Sequence, residues 1–386
     1  MTALIWTCTV ALAATAALLG VVWRMRCRAR RHRSAHAQAV EVLAPPRLDY
    51  PTALAAAARF WRDLAGLTRP GWSQLVHGQP HLGLEIHTSG HAMTARLWVP
   101  GGLHPRRVEA AVRAAWPGAM TVALGPATDH PPLPPLAGAS AGGEVRFGGR
   151  GGHDPFTVLH VPDGTQDDPL RALESLGTFL TPGVEHAAIQ LLARPAPGWR
   201  RRGYRRRLTA ALTGRRRGFG AVLARELSAV VCEVLDMVSG HDTARQPYPS
   251  GARYPTPTAD PVRAEALRAA RSKAAGPLWE ITARYAATST DSGPLATHRV
   301  GEIAATLLGA FTLFGAARPV TSRYLPHPAL SLASRRMRRG VLVSVPELAA
   351  LAHLPTPTPA LSGWRTRPVL PPPEHTRPIP PTGGWS

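Results

Sequence analysis

The sequence predicts an α+β protein with one N-terminal transmembrane helix, two or three β-α-β units behind it and a disordered, Pro-rich C-terminal tail. Three observations carry that expectation. Ala3 to Trp23 is an uncharged run followed at once by Arg24, Arg26, Arg28, Arg30, Arg31 and Arg33. Beyond it, segments with period-2 and period-3.6 apolar patterns alternate, as strands and helices do. After Pro355 the chain is Pro-rich, a composition that builds no core.

About 20 uncharged residues span a bilayer core of roughly 30 Å as a helix. Arginine is retained on the cytoplasmic side, so the expected topology is single-pass in the cell membrane, N-terminus outside and the bulk of the chain inside. The competing pattern, a cleaved signal peptide, needs positive charge before the apolar run; here the charge follows it.

The chain has 386 residues, with 45 Lys+Arg against 24 Asp+Glu and a net charge of +21. Arginine carries nearly all of the positive charge. Such an excess favours nucleic acid or anionic lipid as partner. The 3 cysteines form no CxxC pair, which argues against a disulfide framework or a zinc site.

In order, residues 24–47 read as a basic juxtamembrane linker. The first α+β unit covers 48–125. It opens with a helix from Thr52 to Leu64, then a hairpin of Leu82–His87 and Met93–Val99 turning at Thr88–His91. Val108, Ala111, Val112 and Ala115 mark one apolar helix face, and Met120–Leu124 is a strand. Residues 126–153 read as a Pro/Gly-rich linker. The second unit, 154–240, has a strand at Phe156–Val161, a helix capped by Asp168, a strand at Glu185–Ala193, an Arg-rich insertion and an apolar helix over Phe219–Val238. Residues 241–257 form another linker. The third unit, 258–355, begins with the half-buried strand pattern Trp279, Ile281, Ala283, Tyr285. A helix face follows at Val300, Ile303, Ala304, Leu307, Leu308 and Phe311, then a capping box at Ser344–Glu347. Residues 356–386 are the tail.

No GxxxxGK[ST] exists, and Lys273 has no glycine-rich loop before it, so the chain is no P-loop ATPase by itself. GxSxG, HExxH and EF-hand patterns are missing as well. His77, His81, His87 and His91 recur around the hairpin; on strands that spacing separates ligands by about 13 Å, so they read as surface histidines rather than a metal centre. No catalytic, cofactor or metal residues are assigned.

The candidate binding residues are three arginine triplets: Arg200, Arg201 and Arg202; Arg205, Arg206 and Arg207; Arg215, Arg216 and Arg217. They suit phosphates of DNA or of anionic inner-leaflet lipid. Tyr204 is the only aromatic among them, a thin basis for base stacking.

Leu97-Trp98-Val99-Pro100 with Val108–Ala119, Ala188-Ile-Gln-Leu-Leu-Ala-Arg-Pro195, and Ser344-Val-Pro-Glu-Leu-Ala-Ala-Leu-Ala-His-Leu-Pro355 are together similar to the N-terminal region of actinobacterial conjugation and type IV secretion ATPases of the coupling-protein class. The resemblance spans most of Thr52–Pro355. It implies ferredoxin-like units and the membrane and assembly half of a translocation machine. The partner it implies is a separate P-loop ATPase or other secretion components; a homo-oligomer is a further expected partner. The expected role is a membrane-anchored accessory or scaffold subunit for DNA or protein transport, not an enzyme. The alternative is a membrane-tethered nucleic-acid-binding protein with no motor partner.

Overall fold

The computed structural model describes residues 2–67, 69, 71–90, 92–127, 134–136, 138–148, 158–161, 170–212, 261–315, 319–338 and 340–356. Its centre is one 9-stranded antiparallel sheet. The strands are β1 (Gln38–Leu43), β2 (Leu82–Ser89), β3 (Ala92–Val99), β4 (Met120–Pro126), β5 (Ala139–Arg146), β6 (Glu185–Pro195), β7 (Trp279–Ser289), β8 (Thr321–Tyr324) and β9 (Val341–Val343). The order is β4-β1-β3-β2-β6-β7-β5-β8, with β9 added beside β7.

The helices are α1 (Thr2–Ala35), α2 (Tyr50–Leu64), α3 (Gly71–His77), α4 (Pro105–Ala115), α5 (Arg171–Phe179), α6 (Gly198–Leu212), α7 (Pro261–Ala275), α8 (Pro294–Thr312), α9 (Pro328–Ala333) and α10 (Val345–Leu351). Asp49 caps α2, its side chain accepting from Thr52 N at 3.3 Å. Pro105 and Pro294 stand in the first turns of α4 and α8, where a missing N–H costs nothing.

The chain passes twice through four strands ordered as β-α-β-β-α-β, with α3 added before β2 in the first run and α6 and α7 inserted between β6 and β7 in the second. The first run gives the order β4-β1-β3-β2 and the second gives β6-β7-β5-β8, its mirror along the sheet. The runs fuse where β2 pairs with β6 from Leu82↔Ala193 to Thr88↔Ala187. This corrects the expectation of two or three small separate ferredoxin-like units. There is a single sheet, and residues 279–351 belong to its second run rather than to a third unit. The physical reason is that β2 and β6 bury both faces, and each completes the other's ladder instead of ending a unit as an open edge.

Three further expectations change. The 24–47 linker contains β1, which lies between β3 and β4. The 126–153 linker contains β5. Its Gly142-Gly143 reads as a flexible pair, yet both lie in the strand, because a Cβ at Gly142 would run into the Tyr285 carbonyl oxygen and one at Gly143 into Ser322 Oγ. The described part of the expected 156–161 strand, residues 158–161, carries no strand. The 219–238 helix, the 241–257 linker, the Asp168 cap and the tail beyond residue 356 lie outside the described residues.

Among the described residues, no helix is long and apolar enough to cross a membrane. The expected transmembrane helix over 3–23, and with it the single-pass membrane placement, is therefore corrected. α1 is one helix of 34 residues that runs on from the uncharged stretch through all of Arg24 to Arg33 without a break. Its charged end is seated on the domain, where Arg33 Nη2 donates to the His77 carbonyl. Trp6, Leu18, Val21 and Trp23 are exposed along it.

The core lies on one face of the sheet, under α2, α4, α5, α8 and α10. Trp61 of α2 meets Trp279 of β7 edge-on at 5.2 Å, joining the two runs. Phe60 packs against Trp61 at 4.9 Å and Trp116 at 5.3 Å. The Trp61 indole N–H donates to the Ala352 carbonyl at 3.1 Å, tying α10 to the same point. Replacing Trp61 by Ala should destabilise the fold by about 3–5 kcal/mol, read from the midpoint of denaturant unfolding; a loss below about 1 kcal/mol would show that this packing does not join the runs.

Candidate nucleic-acid interface

The opposite face of the sheet is polar, and its pairing produces a row of charges. Directly opposed residues run Glu41, Arg96, Glu85, Gln190, Arg284, Glu144, Arg323 across β1, β3, β2, β6, β7, β5 and β8. The signs alternate except at the centre, where neutral Gln190 stands between the two runs. Opposed unlike charges favour this register.

The segment from α9 to Arg336 straps over the middle of the row. Gln190 Nε2 donates to Glu85 Oε1 at 2.9 Å and to the Leu332 carbonyl at 2.8 Å. Arg335 grips Glu85 with two parallel bonds of 2.7 and 3.0 Å. It does so from a left-handed backbone, φ 47°, the only such non-glycine residue among the described residues. Arg284 donates to Glu144 at 3.4 Å and to the Ser331 carbonyl at 3.1 Å. The pattern at Trp279–Tyr285 is therefore not half-exposed: every residue of β7 is buried, and its charged residues Glu280 and Arg284 are matched by partners brought from elsewhere in the chain.

Four residues back along β7 from Arg284, Glu280 is fully buried. Arg194 Nη2 reaches its Oε2 at 2.9 Å, and Arg200 Nη1 reaches Oε1 at 2.5 Å. The Gly340 N–H donates to Oε1 at 2.9 Å, and Arg200 also donates to the Gly340 carbonyl at 2.9 Å. Arg200 is thus an internal residue. It is taken out of the set expected to touch nucleic acid or lipid, because its charge is consumed by Glu280.

Arg200 sets the orientation of α6. Arg200, Tyr204 and Leu208, spaced by four, form its buried stripe. The Tyr204 hydroxyl donates to the Ala270 carbonyl on α7 at 3.0 Å. With that stripe inward, Arg201, Arg202, Arg205, Arg206 and Arg207 are exposed. Arg201 and Arg205 also line a cleft of about 310 Å³ with Pro195, Gly276, Pro277 and Leu278. Arg215, Arg216 and Arg217 lie outside the described residues. Tyr204 is buried, so the aromatic exposed on this helix is Trp199, at its first turn. The carboxylates that position the helix, Glu280 above all, carry no local motif and were not visible in the sequence.

Among the described residues no group of three or more His, Cys, Asp or Glu side chains could hold a metal. Of the hairpin histidines, His77 is exposed, as a surface group is, whereas His81 and His87 are half-buried. His81 stacks on Trp98 at 5.0 Å, its Nε2 lying 2.8 Å from the Arg335 carbonyl. His87 stacks on His186 at 5.4 Å. Burial, followed by the fields of Arg194, Arg33 and Arg284, depresses the His81 pKa to about 4 despite its bond to Arg335. Burial, then His186 and Arg96, depress that of His87 to about 3. His91 lies outside the described residues.

No protein-family model matches the chain, and no curated protein matches it. What the site can do chemically follows from its composition. It presents a row of permanently charged guanidinium forks with no carboxylate on the helix, which suits phosphate oxygens.

The two half-buried imidazoles, His81 and His87, have a pH consequence. Unfolded, each takes up a proton near 6.5; folded, each refuses it until about 4 or below. Their contribution to stability is complete above about pH 6.5 and is lost as pH falls toward 4, by at most about 1.4 kcal/mol per pH unit for each histidine. Urea midpoints should therefore drop between pH 7 and pH 5, and His87→Phe should flatten that slope; an unchanged slope in the variant would contradict this assignment.

Proposed function

We propose that the chain is a non-catalytic accessory subunit of a conjugative or type IV secretion-like DNA-translocation system, and that α6 holds nucleic acid by its phosphate backbone. The observation that carries this reading is the orientation of α6, whose Arg200–Glu280 root turns five arginines outward along one helix of 15 residues. Such a helix is about 22 Å long, enough to follow several successive phosphates. The affinity is non-specific in sequence, because phosphate contacts carry no base information. The translocation context rests on the resemblance of three segments to the non-motor region of type IV secretion ATPases. The motor would then belong to a separate P-loop ATPase that docks on this subunit.

Two measurements test the reading. Fluorescence anisotropy on a duplex of about 30 base pairs should give an affinity that falls steeply with salt. Replacing Arg201, Arg202, Arg205, Arg206 and Arg207 by Gln should lower the slope of log K against log salt by about 0.9 for each phosphate that the helix no longer neutralises. Salt-independent binding, or a slope unchanged in the variant, would overturn the role of α6. Co-purification of a P-loop ATPase that survives high salt supports the accessory role; recovery of the subunit with DNA alone would sink it.

A further inference from the structure

α6 does not present all of its arginines alike. At about 100° per residue, Arg201 and Arg205 fall within about 40° of each other, on one flank of the buried stripe of Arg200, Tyr204 and Leu208. Arg202 and Arg206 lie on the side away from that stripe. The Arg201–Arg205 flank opens on the cleft of about 310 Å³, a volume suited to a small organic ligand.

The cleft is preformed. Its buried lining is Ala196 and Leu278, joined by the Ala196 N–H donating to the Leu278 carbonyl at 2.8 Å. Both belong to the apolar cluster of Tyr204, Leu208 and Ala270, which fixes α6 to α7. Pro195 and Pro277 add stiff apolar walls. Among the described residues no carboxylate lines the cleft. Arg201 and Arg205 are exposed, and among the described residues their guanidinium groups have no hydrogen bond or ion pair, whereas Arg200 is consumed by Glu280.

Two guanidinium forks on successive turns offer one ligand two positive charges and many N–H donors. A carboxylate answers only one of those charges. An internal phosphodiester also carries a single charge, and its strand must continue on both sides past the walls. A terminal phosphomonoester carries about −1.5 to −2 at pH 7 and three acceptor oxygens, so it matches both forks at once.

We infer that the cleft between α6 and residues 275–278 is a binding site for a phosphomonoester. Arg201 and Arg205 grip the phosphate, and the apolar walls take the organic group esterified to it. The inference goes beyond the duplex reading of α6 and stands without it.

The test is isothermal titration calorimetry on the full chain with thymidine 5′-monophosphate, thymidine, and the methyl ester of the nucleotide, which is a phosphodiester. The monophosphate should bind at least about tenfold more tightly than thymidine and several-fold more tightly than the ester. Arg201→Gln with Arg205→Gln, at exposed positions, should weaken the monophosphate by at least about tenfold. Gly276→Leu keeps every arginine and fills the cleft instead: a Cβ at Gly276 meets no atom within 4 Å, so the side chain has room there. It should cause a similar loss with the urea midpoint retained; if that variant fails to fold, the arginine pair decides. An oligonucleotide with a 5′-phosphate that binds more tightly than its unphosphorylated twin identifies a strand end as the source of the phosphate, and a gain confined to the mononucleotide identifies a free small molecule. Equal affinity for the monophosphate and its methyl ester, or unchanged affinity in either folded variant, would overturn the inference.

Discussion

Everything on the polar side of this protein hangs on the buried carboxylate of Glu280. A carboxylate with no exposure is tolerated only if its charge is matched and its lone pairs are filled. Here the matching groups come from three places in the chain: Arg194 on the adjacent strand, Arg200 at the start of α6, and the Gly340 N–H before β9. Satisfying one carboxylate therefore brings the α6 root, the β6–β7 pair and the β9 edge together. Glu347 does similar work on the other side of the structure. It accepts from Lys273 at 3.1 Å, from Leu159 N at 2.7 Å and from Ser344 N at 2.6 Å. Burial lowers the Lys273 pKa, and the Glu347 charge opposes that shift.

The two faces of the sheet solve the same burial problem by different means. One is covered by amphipathic helices whose apolar stripes merge into a single core. The other keeps its charges and covers their centre with the strap from α9 to Arg336, whose carbonyl groups accept from Gln190 and Arg284 and whose Arg335 fork binds Glu85. The neutral Gln190 sits where the two runs meet, so the row changes sign pattern at the seam without setting two like charges face to face. The exposed arginines of α6 set the field that a ligand meets on that side.

Much of the local structure could be read from the sequence. The hairpin of β2 and β3, the faces of α4 and α8, and the Ser344–Glu347 box all rest on interactions within a few residues, where periodicity and capping chemistry are informative. β1 and β5 escaped because their signals were diluted: β1 follows an arginine cluster, and β5 contains Gly142-Gly143, which resembles a linker until its neighbours are known. The burial of Glu280 and Arg284 was not legible, since their partners lie at Arg194, Arg200 and Glu144, far away in sequence. For the same reason the first triplet looked uniform, although Arg200 turns inward while Arg201 and Arg202 turn outward. The uncharged run at the N-terminus was read as a membrane span on its own composition; it is part of a longer helix whose arginine-bearing end packs against the domain.

The most direct test of the central claim is hydrogen–deuterium exchange on the Glu280→Gln variant, compared with the unmodified chain. If Glu280 roots α6, neutralising it leaves the buried Arg200 and the half-buried Arg194 beside an amide. The amides of residues 198–212 should then exchange at least about tenfold faster, while those of the β2–β3 hairpin keep their protection. Unchanged protection across α6 would contradict the claim that this one carboxylate fixes how the arginine helix is presented.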